Sequence, residues 1–278
     1  MKPVQFNRLE CADLNQAATA LQQQGNAKYL GGGQSLGPML NLRLARPETL
    51  IDLAGIEALR QVREDSDCVQ YGAAICHAAF EDGLVPDATG GMLRHVAAGI
   101  AYRAVRNRGT IGGSLAHADP AADWVNVMLA LDASIEVAGT GTSRSIAATA
   151  FMQAAFTTAL LPGEIIASVR VPRLSPGARW GYYKVCRKPG EFSEASGTVV
   201  IDPQRGYARI VLGALDGAPV LLETLADTLA HKGVAAAIAA TDAAVGAFVG
   251  GMPEHRRQLF SVAVRRALQQ LEGKHEQS

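Results

Sequence analysis

Residues 27–37 read AKYLGGGQSLG, an apolar strand pattern that runs directly into a glycine-rich turn. A helix pattern at 14–24, LNQAATALQQQ, comes before it, and Gly25-Asn26 is a pair that typically ends a helix. A second short apolar run, LIDL at 50–53, follows as a further strand pattern that contains a carboxylate. These residues predict a small α/β unit with a glycine-rich loop at the end of a strand.

A second glycine-rich segment, TIGGS, lies at 110–114 after a helix pattern over 92–105. Glycine allows a backbone to come close to a ligand, and successive free N–H groups form a concavity that suits phosphate. One such turn is weak evidence, because most glycine-rich turns only reverse the chain. Two of them, each ending in a serine hydroxyl, indicate a site for the two phosphates of a dinucleotide.

Two better-known motifs match the first segment in part. The Rossmann fingerprint G-x-G-x-x-G fails because Leu36 stands where its third glycine belongs, although Asp52 lies at a suitable distance. Residues 33–37, GQSLG, match the G-x-S-x-G elbow of serine hydrolases and make Ser35 a candidate nucleophile. Only one strand pattern precedes that serine and no helix pattern follows it at once, so the hydrolase is the weaker alternative. Two structural turns without any ligand are the third interpretation.

The composition is that of an ordinary globular protein. With 278 residues, 48% of them hydrophobic, the chain can form two or three packed units. Its 26 basic and 26 acidic residues cancel, which excludes a general attraction to nucleic acid or to an anionic membrane. No apolar run approaches the roughly 18 residues of a membrane span and no signal sequence is readable, which predicts a cytoplasmic protein. The scattered cysteines, Cys11, Cys68, Cys76 and Cys186, form no metal-binding pattern.

Strand and helix patterns alternate through the rest of the chain, and a turn-rich break at 175–177 separates a second α/β unit from a C-terminal unit. The second unit has strand patterns at 68–75 and 134–139, a helix pattern at 123–132 and a strand-pair pattern at 160–172. The C-terminal unit has strand patterns at 181–188, 197–202 and 208–215, followed by helices. The last part therefore predicts a small antiparallel sheet covered by helices.

Several of these strings resemble segments of one family. Residues 29–53, YLGGGQSLGPMLNLRLARPETLIDL, are similar to the first FAD-binding segment of the medium subunit of the xanthine dehydrogenase and carbon monoxide dehydrogenase family of molybdenum hydroxylases. Residues 105–124, VRNRGTIGGSLAHADPAADW, are similar to its second FAD-binding segment. LLPGEIIASVRVP at 160–172 resembles the strand that leads to its C-terminal domain, and VRRAL at 264–268 suits its last helix. The resemblance covers nearly the whole chain in the right order.

This resemblance implies an α+β fold of the vanillyl-alcohol-oxidase or PCMH type. Two α/β subdomains, at about 1–55 and 56–175, form an FAD-binding domain over 1–175. A C-terminal domain at 176–278 follows, with a small antiparallel sheet and helices. The three-part pattern of strands and helices agrees with that division.

The family also implies which residues bind FAD. The two glycine-rich segments wrap the pyrophosphate and adjoining parts through backbone N–H groups, and Asp123 accepts hydrogen bonds from the cofactor. Ile166 and Lys184 touch the cofactor, and Ile100 lies near the flavin ring. The implied cofactor-binding residues are Tyr29, Leu30, Gly31, Gly32, Gly33, Gln34, Ser35, Leu36, Ile100, Thr110, Ile111, Gly112, Gly113, Ser114, Asp123, Ile166 and Lys184. No catalytic residue and no metal ligand is implied on this chain.

Further expectations concern residues near these motifs. Residues 191–193 read EFS where the family has an acidic–aromatic–alanine run, so Phe192 is a candidate to shield one face of the flavin ring. A β-branched residue in place of Gly32 or Gly112 is expected to lower FAD occupancy while the chain still folds. His117 lies inside the second motif, whereas the other histidines are expected at the surface or at helix ends.

The resemblance implies partners as well. In this family a large subunit oxidises its substrate at a molybdopterin cofactor, and a small subunit relays the electrons through two [2Fe-2S] clusters. The medium subunit receives them on FAD and passes them to NAD, a quinone, oxygen or another carrier. A heterotrimer, often doubled, is therefore expected, and the alternative is a stand-alone flavin-binding scaffold.

Overall fold

The computed structural model describes residues 2–273, so His275 lies outside the described residues. The strands are β1 Asn7–Glu10, β2 Ala27–Leu30, β3 Thr49–Asp52, β4 Val62–Glu64, β5 Cys68–Gly72, β6 Ser134–Gly139, β7 Thr142–Ala147, β8 Met152–Ala154, β9 Thr157–Thr158, β10 Ile165–Pro172, β11 Arg179–Val185, β12 Ala195–Asp202, β13 Tyr207–Gly213 and β14 Val220–Leu221. The helices are α1 Leu14–Gln23, α2 Leu36–Asn41, α3 His77–Glu81, α4 Met92–Ala98, α5 Arg103–Arg106, α6 Ile111–His117, α7 Asp123–Ala130, α8 Ala148–Phe151, α9 Glu223–Val249 and α10 Glu254–Gln269. Two short 3-10 helices are Glu57–Arg60 and Pro203–Arg205.

A parallel sheet of three strands, in the order β1-β3-β2, forms the N-terminal part. All four residues of the central strand β3 are buried. Helix α1 connects β1 to β2, and Asp13 caps its N-terminus by accepting a hydrogen bond from the Gln16 N–H at 2.8 Å. The helix predicted at 14–24 and the strands predicted at 27–30 and 50–53 are confirmed to within about one residue, as boundaries from sequence allow. Strand β1 was not predicted.

An antiparallel sheet of five strands follows, in the order β4-β5-β10-β6-β7. Strand β10 lies between β5 and β6 and is continuous, so the strand pair predicted over 160–172 is wrong. The turn at Pro162-Gly163 falls before this strand rather than inside it. The helix predicted over 92–105 is interrupted, because Ala101 has a φ of 44° and Tyr102 is extended, which separates α4 from α5.

A second antiparallel sheet, β11-β12-β13-β14, and helices α9 and α10 form the C-terminal part, which confirms the small sheet with helices. One core cluster joins them, since Val199 and Ile210 of the sheet pack with Phe260 and Val264 of α10. Burial of these apolar faces against each other is the main source of stability for such a layer.

Helix α9 is the one helix in residues 2–273 that is long and apolar enough, by composition, to cross a membrane. Gly233 inside it has a φ of 83° and a ψ of 179°, so the helix is broken into 223–232 and 234–249. Neither part reaches the roughly 20 residues that a bilayer span requires.

The largest core cluster packs the five-stranded sheet against α4, α6 and α7. All of α7 is buried, and it also contacts β12 and β13. The cluster extends into the C-terminal sheet through Tyr182, Val200 and Val211. Helix α7 therefore lies between the two antiparallel sheets, and its first residue, Asp123, is fixed at their junction. The division at 175/176, which falls between β10 and β11, stays a prediction.

Candidate cofactor-binding site

A cleft of about 580 Å³ is lined by residues from all three parts of the chain. Its size is typical of cofactor and ligand sites, which span roughly 300–1,000 Å³. The predicted cofactor residues that line it are Tyr29, Gly31, Gly32, Gly33, Gln34, Ser35, Leu36, Ile100, Thr110, Gly112, Gly113, Ser114, Asp123 and Ile166. Residues distant in sequence therefore meet at one cavity.

Three predicted residues, Leu30, Ile111 and Lys184, do not line the cleft. Leu30 follows Tyr29 on a strand, so its side chain points to the opposite face, where it packs on the small core around Leu40. Ile111 is fully buried in the main core, and Lys184 pairs with Asp123. The side chains of these three residues support the wall of the cleft, and their contact with the cofactor stays a prediction.

The first glycine-rich segment presents a row of free backbone donors. Among residues 2–273, no group accepts a hydrogen bond from the N–H groups of residues 31–35. Gly33 has a φ of 75°, in the left-handed region that glycine favours, and the Gln34 side chain donates to the Gly32 carbonyl at 3.1 Å. Successive N–H groups around such a residue form a concavity for anions. This segment therefore fits a pyrophosphate.

Helix α2 begins at Leu36, directly after Ser35, so the expectation that no helix follows this serine is wrong. Pro38 is tolerated there because a backbone N–H in the first turn has no partner inside the helix. A serine nucleophile requires a base within hydrogen-bond reach. Ser35 caps α2 without a side-chain hydrogen bond, and in the described part of the chain its hydroxyl contacts no base.

The second glycine-rich segment starts a helix and is not a loop, which corrects the prediction. Thr110 caps α6, and its Oγ1 accepts a hydrogen bond from the Gly113 N–H at 3.0 Å. The N–H groups of residues 111–114 all donate to acceptors within the protein, at 2.9 to 3.1 Å. These donors are already satisfied, so the segment offers the cleft its surface and the Ser114 hydroxyl.

Gly32 and Gly112 are required by contacts between protein backbones. A Cβ on Gly32 would lie 1.9 Å from the carbonyl oxygen of Arg108, in the chain just before the second segment. A Cβ on Gly112 would lie 2.4 Å from the Cβ of Ala73. A larger residue at Gly32 would therefore push the first segment away from the chain before the second, and one at Gly112 would push α6 away from Ala73, so either change would disturb protein packing as well as FAD binding. A Cβ on Gly31 meets the Thr110 Oγ1 at an ordinary 3.4 Å.

Asp123 lies at the centre of a buried polar network. Its Oδ1 accepts hydrogen bonds from the Tyr182 hydroxyl at 2.5 Å and from the Lys184 Nζ at 2.8 Å. Burial and the negative charge of Asp123 raise the pKa of Tyr182 well above its usual value, which keeps its proton available for this bond. No group in residues 2–273 donates to Asp123 Oδ2, so this oxygen can accept a hydrogen bond from a ligand in the cleft.

Sequence reasoning missed Tyr182. A usable signal was present, because Tyr182 and Lys184 are two residues apart on β11 and so face the same side of the sheet. The sequence alone did not show that this side meets the first turn of α7.

Two other predicted residues form the cleft wall from strands. The Tyr29 hydroxyl donates to the Gly163 carbonyl at 2.9 Å, and burial raises the pKa of Tyr29 to about 12, so it remains protonated. Ile166 is 4% exposed on the central strand β10 and gives the cleft an apolar surface. Phe192 also lines the cleft and is 68% exposed, which leaves its ring accessible to a ligand.

His77 lies at a helix end, one of the two places expected for the histidines outside the second motif, but it is not at the surface. His77 is buried at the start of α3, and its Nδ1 accepts a hydrogen bond from the Trp124 indole N–H at 3.0 Å. Burial, and then the nearby Arg106 charge, lower the pKa of His77 to about 4, so the ring is neutral at pH 7. His117 lines the cleft, and its ring centroid lies 5.2 Å from that of Phe156.

The family described as "FAD binding domain in molybdopterin dehydrogenase" matches residues 4–174. The chain belongs to this family. The alpha subunit of the 6-hydroxypseudooxynicotine dehydrogenase complex of Paenarthrobacter nicotinovorans is 32% identical over 280 residues, 96% of this chain and 95% of that protein. The carbon monoxide dehydrogenase medium chain of Afipia carboxidovorans is 32% identical, with 99% of each chain covered. A structure of carbon monoxide dehydrogenase from Hydrogenophaga pseudoflava, in a form lacking the Mo-pyranopterin moiety, has a TM-score of 0.89 and 31% identity, covering 98% of this chain and 99% of that one.

Membership confirms the resemblance found in the sequence. The chain is an FAD-binding medium subunit of the molybdenum hydroxylase family, and it is an oxidoreductase subunit. Its α+β fold is the PCMH-type FAD-binding fold of the structural relatives, which also explains the glycine-rich segments around one cleft.

Proposed function

We propose that this chain transfers electrons within a molybdenum-containing hydroxylase, receiving them on FAD from [2Fe-2S] clusters of a partner and passing them to an external acceptor. The observation that carries the proposal is a single cleft that contains both the free N–H row of residues 31–35 and Asp123. Family membership supports the same assignment.

The described residues that line the cleft fit the separate parts of FAD. The N–H groups of residues 31–35 would hold the pyrophosphate, and Asp123 Oδ2 would accept a hydrogen bond from a cofactor hydroxyl. Ile100, Ile166 and Phe192 would contact the ring system and exclude water from it. When bound, FAD supplies the exchange of electrons singly or in pairs.

The proposed partners are a small [2Fe-2S] subunit and a large molybdopterin subunit, in a heterotrimer that is doubled and acts in the cytoplasm. Relatives of this chain are named as a subunit of a dehydrogenase complex and as a medium chain, which supports an assembly of several chains. Helix α9 supports it as well, because only 22% of its most apolar stretch is buried and Phe248 is 50% exposed, so this apolar surface is available to another chain. NAD, a quinone and oxygen are the candidate acceptors.

The first test is a titration of the full chain, stripped of flavin, with FAD and in parallel with FMN. We expect one FAD per chain and an FMN dissociation constant at least about tenfold higher, because FMN has no pyrophosphate for residues 31–35. Equal binding of the two flavins would contradict the pyrophosphate assignment, and no binding of either would contradict the proposed function.

A second test concerns electron transfer. The chain is purified together with the proposed small and large partner chains, and candidate heterocycles, aldehydes and carbon monoxide are added without oxygen. Loss of the flavin absorption band with one substrate would support the proposal. A chain that binds FAD but is never reduced in the assembled complex would support the scaffold alternative. Activity towards model esters that disappears in Ser35→Ala would instead support the hydrolase.

A further inference from the structure

Residues 99–101, beside the cleft, have no regular secondary structure, yet each of their carbonyl groups accepts a hydrogen bond from a lysine or arginine side chain. The Gly99 carbonyl accepts a hydrogen bond from Lys184 Nζ at 2.9 Å. The Ile100 and Ala101 carbonyls accept hydrogen bonds from Arg106 Nη1 at 2.9 and 3.0 Å. Ile100 and Ala101 line the cleft, whereas Arg106 does not.

This part of the wall contains a strained residue. Ala101 has a φ of 44°, which is unfavourable for a residue with a Cβ and persists only where the surroundings hold it. The loop that carries Phe192 packs directly on it, since a Cβ on Gly190 would lie 2.4 Å from the Ala101 oxygen. A movement of Ala101 would therefore also move the Phe192 side of the cleft.

Arg106 is itself held in one orientation. Its Nε and Nη2 donate to the two carboxylate oxygens of Glu81, at 2.7 and 2.8 Å, and its side chain is 12% exposed. These bonds also hold the pKa of Glu81 below its usual range, so the pair stays ionised. A bidentate pair of this kind fixes the plane of the guanidinium and thereby the direction of Nη1.

Arg103 is a natural control on the same helix. It also donates to Glu81, at 2.9 Å, and to Asp82, but its side chain is 49% exposed. Its other hydrogen bond is to Asn107, so in residues 2–273 it holds no carbonyl of the cleft wall.

We infer that Arg106 is a positioning residue for FAD. Held by Glu81, its guanidinium binds the Ile100 and Ala101 carbonyls and so fixes this part of the cleft wall. Through the contact between Ala101 and Gly190 it also fixes the loop that carries Phe192. The inference rests on the proposed function. Arg106 acts through the backbone of the wall and does not touch the cofactor.

The test compares Arg106→Lys with Arg103→Lys in the full chain stripped of flavin. Lysine keeps the charge but cannot bind Glu81 bidentately and hold both carbonyls at once. We expect the FAD dissociation constant to rise about tenfold in Arg106→Lys and less than about twofold in Arg103→Lys. The visible circular dichroism of bound flavin, which reports the geometry of the ring's surroundings, should change only in Arg106→Lys.

A further variant guards against a general loss of folding. Glu81→Gln keeps the shape of the side chain but removes its charge, so it binds Arg106 more weakly. We therefore expect the FAD dissociation constant to rise less, about threefold, with the same change in the circular dichroism. Equal FAD affinity and equal spectra in Arg106→Lys and Arg103→Lys, with wild type binding FAD, would overturn the inference and leave the proposed function intact. Absence of FAD binding by the wild-type chain would overturn both.

Discussion

Three buried polar side chains near the cleft each depend on a hydrogen-bond partner. His77, Asp123 and Tyr182 are all buried, and each is engaged by a hydrogen bond from or to another side chain. A buried polar group is costly without a partner, so these bonds are conditions for folding as well as features of the site. Neutral His77 accepts from Trp124, which fixes the first turn of α7 next to Asp123.

The low pKa of His77 predicts a pH dependence of stability. In the unfolded chain this histidine titrates near 6.5, whereas in the folded protein it does so near 4. Between these values the unfolded state binds more protons, so stability is fully present above pH 6.5 and is lost as the pH falls towards 4. From pH 7 to pH 4.5 this loss is about 2 kcal/mol.

His77→Asn keeps an acceptor for Trp124 but cannot be protonated in this range. We expect the free energy of unfolding of this variant, measured by urea denaturation, to fall less than that of wild type over the same pH change. All other titrating groups are shared, so the difference isolates His77. Parallel losses in the two proteins would show that the histidine is not buried as a neutral ring.

At the scale of elements, the two glycine-rich segments differ in secondary structure and in whether their N–H groups are free. The first is a loop with free N–H groups, whereas the second is a capped helix whose donors are satisfied. They meet through Gly32 and the backbone at Arg108–Gly109. The approach of two backbones, rather than that of the cofactor alone, is what excludes a side chain there.

This contact predicts that alanine destabilises the protein more at Gly32 than at the neighbouring Gly31. Gly32→Ala should lower the free energy of unfolding of the flavin-free chain by about 2 kcal/mol, because its Cβ overlaps the Arg108 carbonyl. Gly31→Ala should change it by less than about 1 kcal/mol, since its Cβ meets only an ordinary contact. Urea denaturation of both variants checks the pair, and equal stabilities would show that the segments do not pack as closely as described.

On the scale of the whole molecule, the C-terminal sheet completes the site. Tyr182 and Lys184 of β11 hold Asp123, and the main core continues into β12 and β13 through Val200 and Val211. An FAD-binding domain that ends at residue 175 would therefore expose one side of α7 and leave Asp123 without these partners.

A chain cut after residue 175 should show this dependence. We expect it to unfold with low cooperativity and to bind FAD at least about 100-fold more weakly than the full chain, because a buried carboxylate loses both its partners. Near-ultraviolet circular dichroism during heating and an FAD titration give the comparison with the full chain. Equal affinity and equally sharp melting would mean that the first 175 residues form an independent cofactor domain.

Local patterns were enough to predict much of this protein. Strands β2 and β3, helix α1 and the C-terminal sheet were readable because alternation and capping residues act over a few positions. Two features were not predicted because they depend on partners in other elements of the fold. Strand β10 is continuous because it pairs with β6, and the helix break at Ala101 is stabilised by the hydrogen bond from Arg106. The burial of His77 was missed because Trp124 is far away along the chain.

The sequence by itself determined the family, because residues 29–53, 105–124 and 160–172 resemble segments of FAD-binding medium subunits in the same order along the chain. Only the tertiary structure decided which of those segments has free N–H groups and which carboxylate oxygen faces the cleft. Whether a donor or an acceptor is free depends on partners brought together by folding, such as Ala73 for Gly112 and Lys184 for Asp123. No local pattern contains that information, since the partners lie on different elements of the fold.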